Sequence, residues 1–262
     1  MATLIDHIML QMVRARTLHA YRSGDWRKLP IIDCGERLVE VPTRDCHPFY
    51  AREMKLIQDE RVFLRQGVFA KFQHAQREVR AQGYDLKVYD GWRSIELQEN
   101  LFWFYLREFT AARFRLDQRF ASLDLGQVRD EFNRLPEVTR NSLREANRTY
   151  VSWPSKDPKA PSPHATGGAI DVWLYQNDAP VNLGVPFDWM EDDAGAFYHF
   201  RLRRSRFKGN DRQICRRREV LLLAMIRAGF TCYGPEIWHF NDGNQMDAIV
   251  RGGSARYSYI EP

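Results

Sequence analysis

Two short strings constrain this 262-residue chain more than any other part of it: Ser162-Pro-His-Ala-Thr-Gly-Gly-Ala-Ile-Asp171 and Glu236-Ile-Trp-His239. They supply His164, Asp171 and His239, two imidazoles and one carboxylate, a donor set suited to a zinc ion. A catalytic zinc takes three protein ligands and leaves a further position to water. A fold that uses these residues must therefore bring two distant segments to one point. Glu236 adds a carboxylate three residues from a candidate ligand, suited to collecting a proton from that water.

Each string also has a plainer reading. Gly167 and Gly168 let the backbone turn sharply between His164 and Asp171, and Val-Trp-Leu-Tyr after Asp171 reads as a strand. Alone, this string is equally a glycine turn whose His and Asp cap the strand. In the second string, Tyr233-Gly-Pro breaks the chain. The alternation of Glu236, Trp238 and Phe240 with Ile237 and His239 predicts an extended segment. On a strand, Glu236 and His239 point to opposite faces, so a twist or bulge has to reunite them. A lone His there reads as a buried residue bonded to a carbonyl. Both strings in one chain favour the metal.

The pattern Ser-x-His-x-x-Gly-x-Ala-x-Asp followed by Glu-x-Trp-His resembles the zinc D-alanyl-D-alanine dipeptidases, relatives of the D,D-carboxypeptidases and of hedgehog-like zinc folds. Val88-Tyr-Asp-Gly-Trp-Arg-Ser94, Leu183-Gly-Val-Pro-Phe-Asp188 and Ala228-Gly-Phe-Thr-Cys-Tyr233 are similar to further segments of that family, and the likeness spans about residues 45–245. The resemblance implies that His164, Asp171 and His239 ligate one zinc and that Glu236 is general base and then general acid. It implies that Arg93 stabilises the oxyanion, that Asp188 pairs with the dipeptide amine and that Ser162 positions substrate. The chemistry agrees, since a fixed guanidinium suits a developing oxyanion. Without the resemblance, Arg93 is one arginine among many, and Asp188 after Pro186-Phe187 reads as a turn or helix cap. Ser94 stands where the family has proline, and His199 does not match the family's Ser-His pair.

The length accommodates one domain with a substantial core, and the coarse pattern predicts an α+β fold: a small antiparallel sheet carries the zinc site, flanked by helices. Apolar spacing predicts helices over 54–82 and 212–228, a strand at Leu86–Tyr89 that delivers Arg93, and a largely helical insertion over about 95–150 beside the site, interrupted at Pro136. The Pro/Ser/Lys-rich stretch 153–164 reads as an active-site loop. The formal charge of +5 raises a polyanion partner, but 34 acidic residues are interspersed with the basic ones. The clusters Arg201–Lys208 and Arg216–Arg218 read as solvated helix flank, without a nucleic-acid motif. Cys34, Cys46, Cys215 and Cys232 lack C-x-x-C spacing, so a cysteine zinc site is unsupported. No stretch reads as a signal peptide or a membrane span, and the expectation is a cytoplasmic protein without nucleic-acid or membrane partners.

Three functions follow in order. The first is zinc-dependent hydrolysis of D-alanyl-D-alanine or a similar small D,D-dipeptide. The second is a zinc D,D-carboxypeptidase or endopeptidase acting on peptidoglycan stem peptides. The third is a non-catalytic zinc binding module, for which an intact base and arginine have no use.

Overall fold

The computed structural model describes residues 3–148, 150–204 and 207–262. Strands β1 (Leu38–Glu40) and β2 (Phe63–Arg65) form an antiparallel pair. The main sheet contains β3 (Asp85–Asp90), β4 (Ala169–Gln176), β5 (Ala179–Pro180), β6 (Thr231–Cys232) and β7 (His239–Asn241). Its order is β3-β4-β7-β6, with β5 paired to β4, and every pairing is antiparallel. Helices surround it: α1 (Leu4–Ser23), α2 (Phe49–Arg52), α3 (Gln66–Arg80), α4 (Ile95–Tyr105), α5 (Ala111–Arg113), α6 (Asp117–Phe120), α7 (Leu125–Asn133), α8 (Glu137–Asn147), α9 (His199–Arg204), α10 (Asp211–Arg227) and α11 (Gln245–Arg251). This is the α+β arrangement expected from the pattern, a small antiparallel sheet with flanking helices.

The central strand β4 is buried from Ala169 to Tyr175, so it is enclosed on both faces. Alternation assigns Ile170, Val172 and Leu174 to one face and Asp171, Trp173 and Tyr175 to the other. Helices α3 and α10 pack on one another and on the sheet. Trp173 meets Trp238, Phe187 and Tyr89 in an aromatic layer beneath the site.

Register places the chemistry. Asp171 pairs with Asp90 on one side and with His239 on the other, so three polar residues lie in a row across three strands. Val88 pairs with Val172, and the register slips between Val88 and Asp90. That bulge turns Asp90 onto the face of Asp171, where strict alternation would have put it with Val88.

Several local expectations need correction. The helix expected over 54–82 starts only at Gln66, because Phe63–Arg65 is drawn into pairing with Leu38–Glu40. Glu236 is not on a strand: a turn closes from Glu236 N–H to the Tyr233 carbonyl (3.3 Å), and β7 begins at His239. The opposite-face problem therefore does not arise. Arg218 is no solvated flank; it is 1% exposed and makes three bonds, to the carbonyls of Leu183 (2.6 Å), Asp193 (2.7 Å) and Gly195 (3.0 Å). Within the other basic cluster, Arg201 and Arg203 are exposed, while Ser205 and Arg206 lie outside the described residues. The four cysteines are free thiols. Among the described residues no helix is long and apolar enough to cross a membrane.

Candidate active site

His164 opens a single 3-10 turn, His164–Thr166, closed by Gly167 at φ 68°. A side chain there would meet Leu38 and Arg65 and would force an L-residue into the left-handed region. The turn sets His164 above the start of β4, and the sheet register brings in Asp171 and His239. Their ligand atoms all lie within 4.8 Å of one another, and the three residues are buried.

The tautomers assigned by the hydrogen-bond network fit a metal. His164 Nδ1 donates to the carbonyl of Gly91 (2.8 Å), and His239 Nε2 donates to Asn241 Oδ1 (3.1 Å). Each ring therefore turns a lone pair inward, His164 Nε2 and His239 Nδ1, only 3.2 Å apart. Asp171 Oδ2 is 3.5 Å from the first nitrogen, and Oδ1 is 3.0 Å from the second, without accepting a hydrogen bond. Tetrahedral zinc with bonds of about 2.0–2.1 Å holds its ligands about 3.3 Å apart. Two facing lone pairs beside a buried carboxylate repel unless a proton or a metal cation sits between them. The same need appears in the titration directions. Burial holds His164 down at about pKa 3. Burial would also lower His239, but the Asp171 carboxylate outweighs it and raises its pKa. Burial would raise Asp171, but His164 and His239 outweigh that and keep it ionised.

Glu236 Oε2 lies 3.9 Å from His239 Nδ1, its side chain 25% exposed to the cleft. Burial pushes its pKa up to about 7, against the pull of His239. A carboxylate poised near neutrality can both accept and return a proton.

Arg93 follows the turn at Gly91. A Cβ on Gly91 would run into the Phe63 carbonyl, which also accepts the Trp92 N–H (2.6 Å), so only glycine permits this approach. Asp90 Oδ2 grips the guanidinium through Nε (2.9 Å) and Nη2 (2.6 Å), and Nη1 donates to Gln98 Oε1 (3.2 Å). Gln98 is in turn anchored to the Ser152 carbonyl (2.6 Å). Burial alone would lower the arginine's pKa; Asp90 outweighs it and keeps the charge.

Asp188 lines the same cavity, with a left-handed φ of 64° on the loop held by Arg218. Tyr50 donates to its Oδ1 (3.2 Å) and Tyr105 to its Oδ2. Burial raises its pKa to about 6 even so. Tyr105 ends α4 where the chain widens into a π-helix, Leu106–Thr110, a local irregularity often found at functional sites.

These residues line one cleft with a cavity of about 370 Å³. All seven residues singled out from sequence are brought to it: His164, Asp171, His239, Glu236, Arg93, Asp188 and Ser162. Ser162 is buried and its hydroxyl accepts from Ala165 N–H (3.3 Å). Leu101, Tyr105, Glu145, Arg148 and Tyr150 supply one wall from the helical stretch 95–150. His199 is outside the lining, buried, with its ring on the Ala196 carbonyl (3.2 Å). Sequence reasoning missed Asp90, Gln98, Tyr50 and Tyr105. Only the clustering of Asp90 with Arg93 in Tyr89-Asp-Gly-Trp-Arg93 signalled any of them.

A peptide-sized cleft holding a cation-demanding His, Asp, His trio, a near-neutral carboxylate and a fixed guanidinium defines a metal-dependent peptidase site. The sequence pattern of the metallopeptidase family Peptidase_M15, D-ala-D-ala dipeptidase, matches residues 113–257, more than half of the chain. The chain belongs to that family and is a peptidase. It is 27% identical over 231 residues to a D-alanyl-D-alanine dipeptidase of Synechocystis sp. (strain ATCC 27184 / PCC 6803 / Kazusa), covering 83% of this chain and 86% of that protein. His164, Asp171, Asp188, Glu236 and His239 fall inside the matched segment, whereas Arg93 precedes it.

Proposed function

We propose that this protein is a zinc-dependent dipeptidase that hydrolyses D-alanyl-D-alanine, or a similarly small D,D-dipeptide, to free amino acids. The observation that carries the reading is the pair of opposed imidazole lone pairs beside the buried Asp171, with Glu236 next to them. His164, Asp171 and His239 hold the zinc. When bound, zinc acts as a Lewis acid toward the scissile carbonyl and brings the pKa of water down to about 7.

Glu236 takes the proton from the attacking water and returns it to the leaving nitrogen, a double use that its near-neutral pKa supports. Arg93, immobilised by Asp90 and Gln98, donates to the oxygen that gains charge, and it does so without reorganising. Asp188, steadied by two tyrosine hydroxyls, pairs with the substrate ammonium. Ser162 positions the substrate from the ligand turn. An amine reader confines turnover to short substrates, which favours a dipeptidase over a carboxypeptidase on longer wall peptides.

The test is release of free D-alanine from D-Ala-D-Ala. Zinc-loaded protein is expected to turn the dipeptide over, chelated protein to stop, and zinc to restore it. Glu236→Gln should cut kcat by about 10²–10⁴ while remaining folded. Absence of turnover in folded, zinc-loaded protein refutes the proposal.

A further inference from the structure

The cleft carries charge that the proposed mechanism leaves unused. Trp26, Arg27, Glu145 and Arg148 line the cavity, and the same four residues also line an adjoining cavity that reaches Ser162. Arg27 is half-buried, and its guanidinium makes no ion pair among the described residues. It lies over the Trp26 ring, 4.1 Å from the centroid. Its backbone is fixed on both sides, the N–H donating to Asp25 Oδ1 (3.1 Å) and the carbonyl accepting from Gln245 Nε2 (3.1 Å).

The surrounding charges are Arg148, Asp25, Glu145 and the Tyr233 hydroxyl. Burial and the neighbouring Arg148 lower the pKa of Arg27, so two cations share this wall at a cost. Glu145 is ion-paired with Arg148 through Oε2 at 2.8 Å and also acts on the charge of Arg27. Tyr233 also lines the cleft, and its hydroxyl feels both Glu236 and Arg27. The cleft therefore carries both signs of charge: the carboxylates of Asp188 and Glu236 and the guanidinium of Arg27 share its lining. A zwitterionic dipeptide carries both signs as well.

We propose that Arg27, supported by Arg148, is a specificity residue that reads the terminal carboxylate of the substrate. The planar fork of the guanidinium matches a carboxylate in two bonds, and its stacking on Trp26 reduces the ordering lost on binding. This inference rests on the dipeptidase reading for its substrate, but the site itself is defined by its carboxylate chemistry.

The experiment compares D-Ala-D-Ala with its C-terminal amide, using zinc-loaded wild type, Arg27→Gln and Arg27→Lys, with thermal melts to confirm folding. Arg27→Gln is expected to lower kcat/KM for the dipeptide at least about tenfold, mainly through KM, and to leave the amide within about twofold. Arg27→Lys should recover part of the loss. Equal losses on both substrates, or none on either, overturn the role of Arg27 while leaving the dipeptidase reading intact. A second readout needs no turnover: NMR titration with N-acetyl-D-alanine and with N-acetyl-D-alaninamide. Selective binding of the acid that vanishes in Arg27→Gln, in a protein inert toward both dipeptides, sustains the site and removes the dipeptidase reading. Indifference of wild type to the two acetyl compounds and to both dipeptides refutes both.

Discussion

Asp188 stores a penalty that its removal should release. Burial raises its pKa to about 6, against an ordinary 3.8, although Tyr50 and Tyr105 both donate to it. A raised carboxyl binds its proton more tightly in the folded chain. The folded state therefore benefits below pH 3.8 and loses that benefit as pH rises through about 6. At 1.36 kcal/mol per unit, ionised Asp188 costs about 2–3 kcal/mol above pH 7 and about 1.5 kcal/mol at pH 5. An asparagine at this position would carry no charge, would keep the shape and would tolerate the left-handed φ of 64° better than most residues. One tyrosine hydroxyl would rotate to accept from the amide. Asp188→Asn should therefore stabilise the protein by about 1–3 kcal/mol at pH 8, with the gain shrinking toward pH 5. Urea unfolding of chelator-treated protein at pH 5, 6, 7 and 8 measures it without a bound cation. On the proposed role, the variant also loses D-Ala-D-Ala turnover through a raised KM. A variant less stable at pH 8, or a gain that does not change with pH, refutes the argument.

Other perturbations read other parts of the site. Arg218→Met keeps the bulk but frees the carbonyls of Leu183, Asp193 and Gly195, so a loss of about 3 kcal/mol by urea unfolding and a raised KM from the loosened Asp188 loop are expected. Gly91→Ala drives a methyl into the Phe63 carbonyl, and a drop of about 2 kcal/mol or more in thermal unfolding should accompany weaker zinc binding, because the same turn holds His164 and Arg93. Tyr105→Phe removes one donor from Asp188. It should raise KM several-fold with kcat nearly unchanged, which steady-state kinetics on D-Ala-D-Ala will separate.

Much of the active centre was legible in the chain because its pieces are local. His164 to Asp171 is one turn and a strand start, Glu236 to His239 is one turn, and it is the presence of both strings in one chain that makes their donor chemistry point to a metal. Helix α10 and strand β4 were visible in periodicity and in β-branched and aromatic runs. Alternation failed at Glu236, which lies in a turn closed on Tyr233 and so escapes the face that a strand would have assigned to it. Helical spacing failed at Phe63–Arg65, whose pairing with β1 is a long-range contact that no window reveals.

What the tertiary structure alone decided is how those local pieces are held. Asp90 faces Asp171 only because the sheet slips register beside it. Arg218 looked like the third residue of a solvated basic run, yet it is 1% exposed and pins a loop 23 to 35 residues away. Tyr50 and Tyr105 meet at the carboxylate of Asp188, which lies 138 and 83 residues further along the chain. Residue type sets which chemistry a side chain can perform and period sets its face. Which distant groups desolvate it, charge it or hold it still depends on strand register and loop packing, and those are properties of the folded chain.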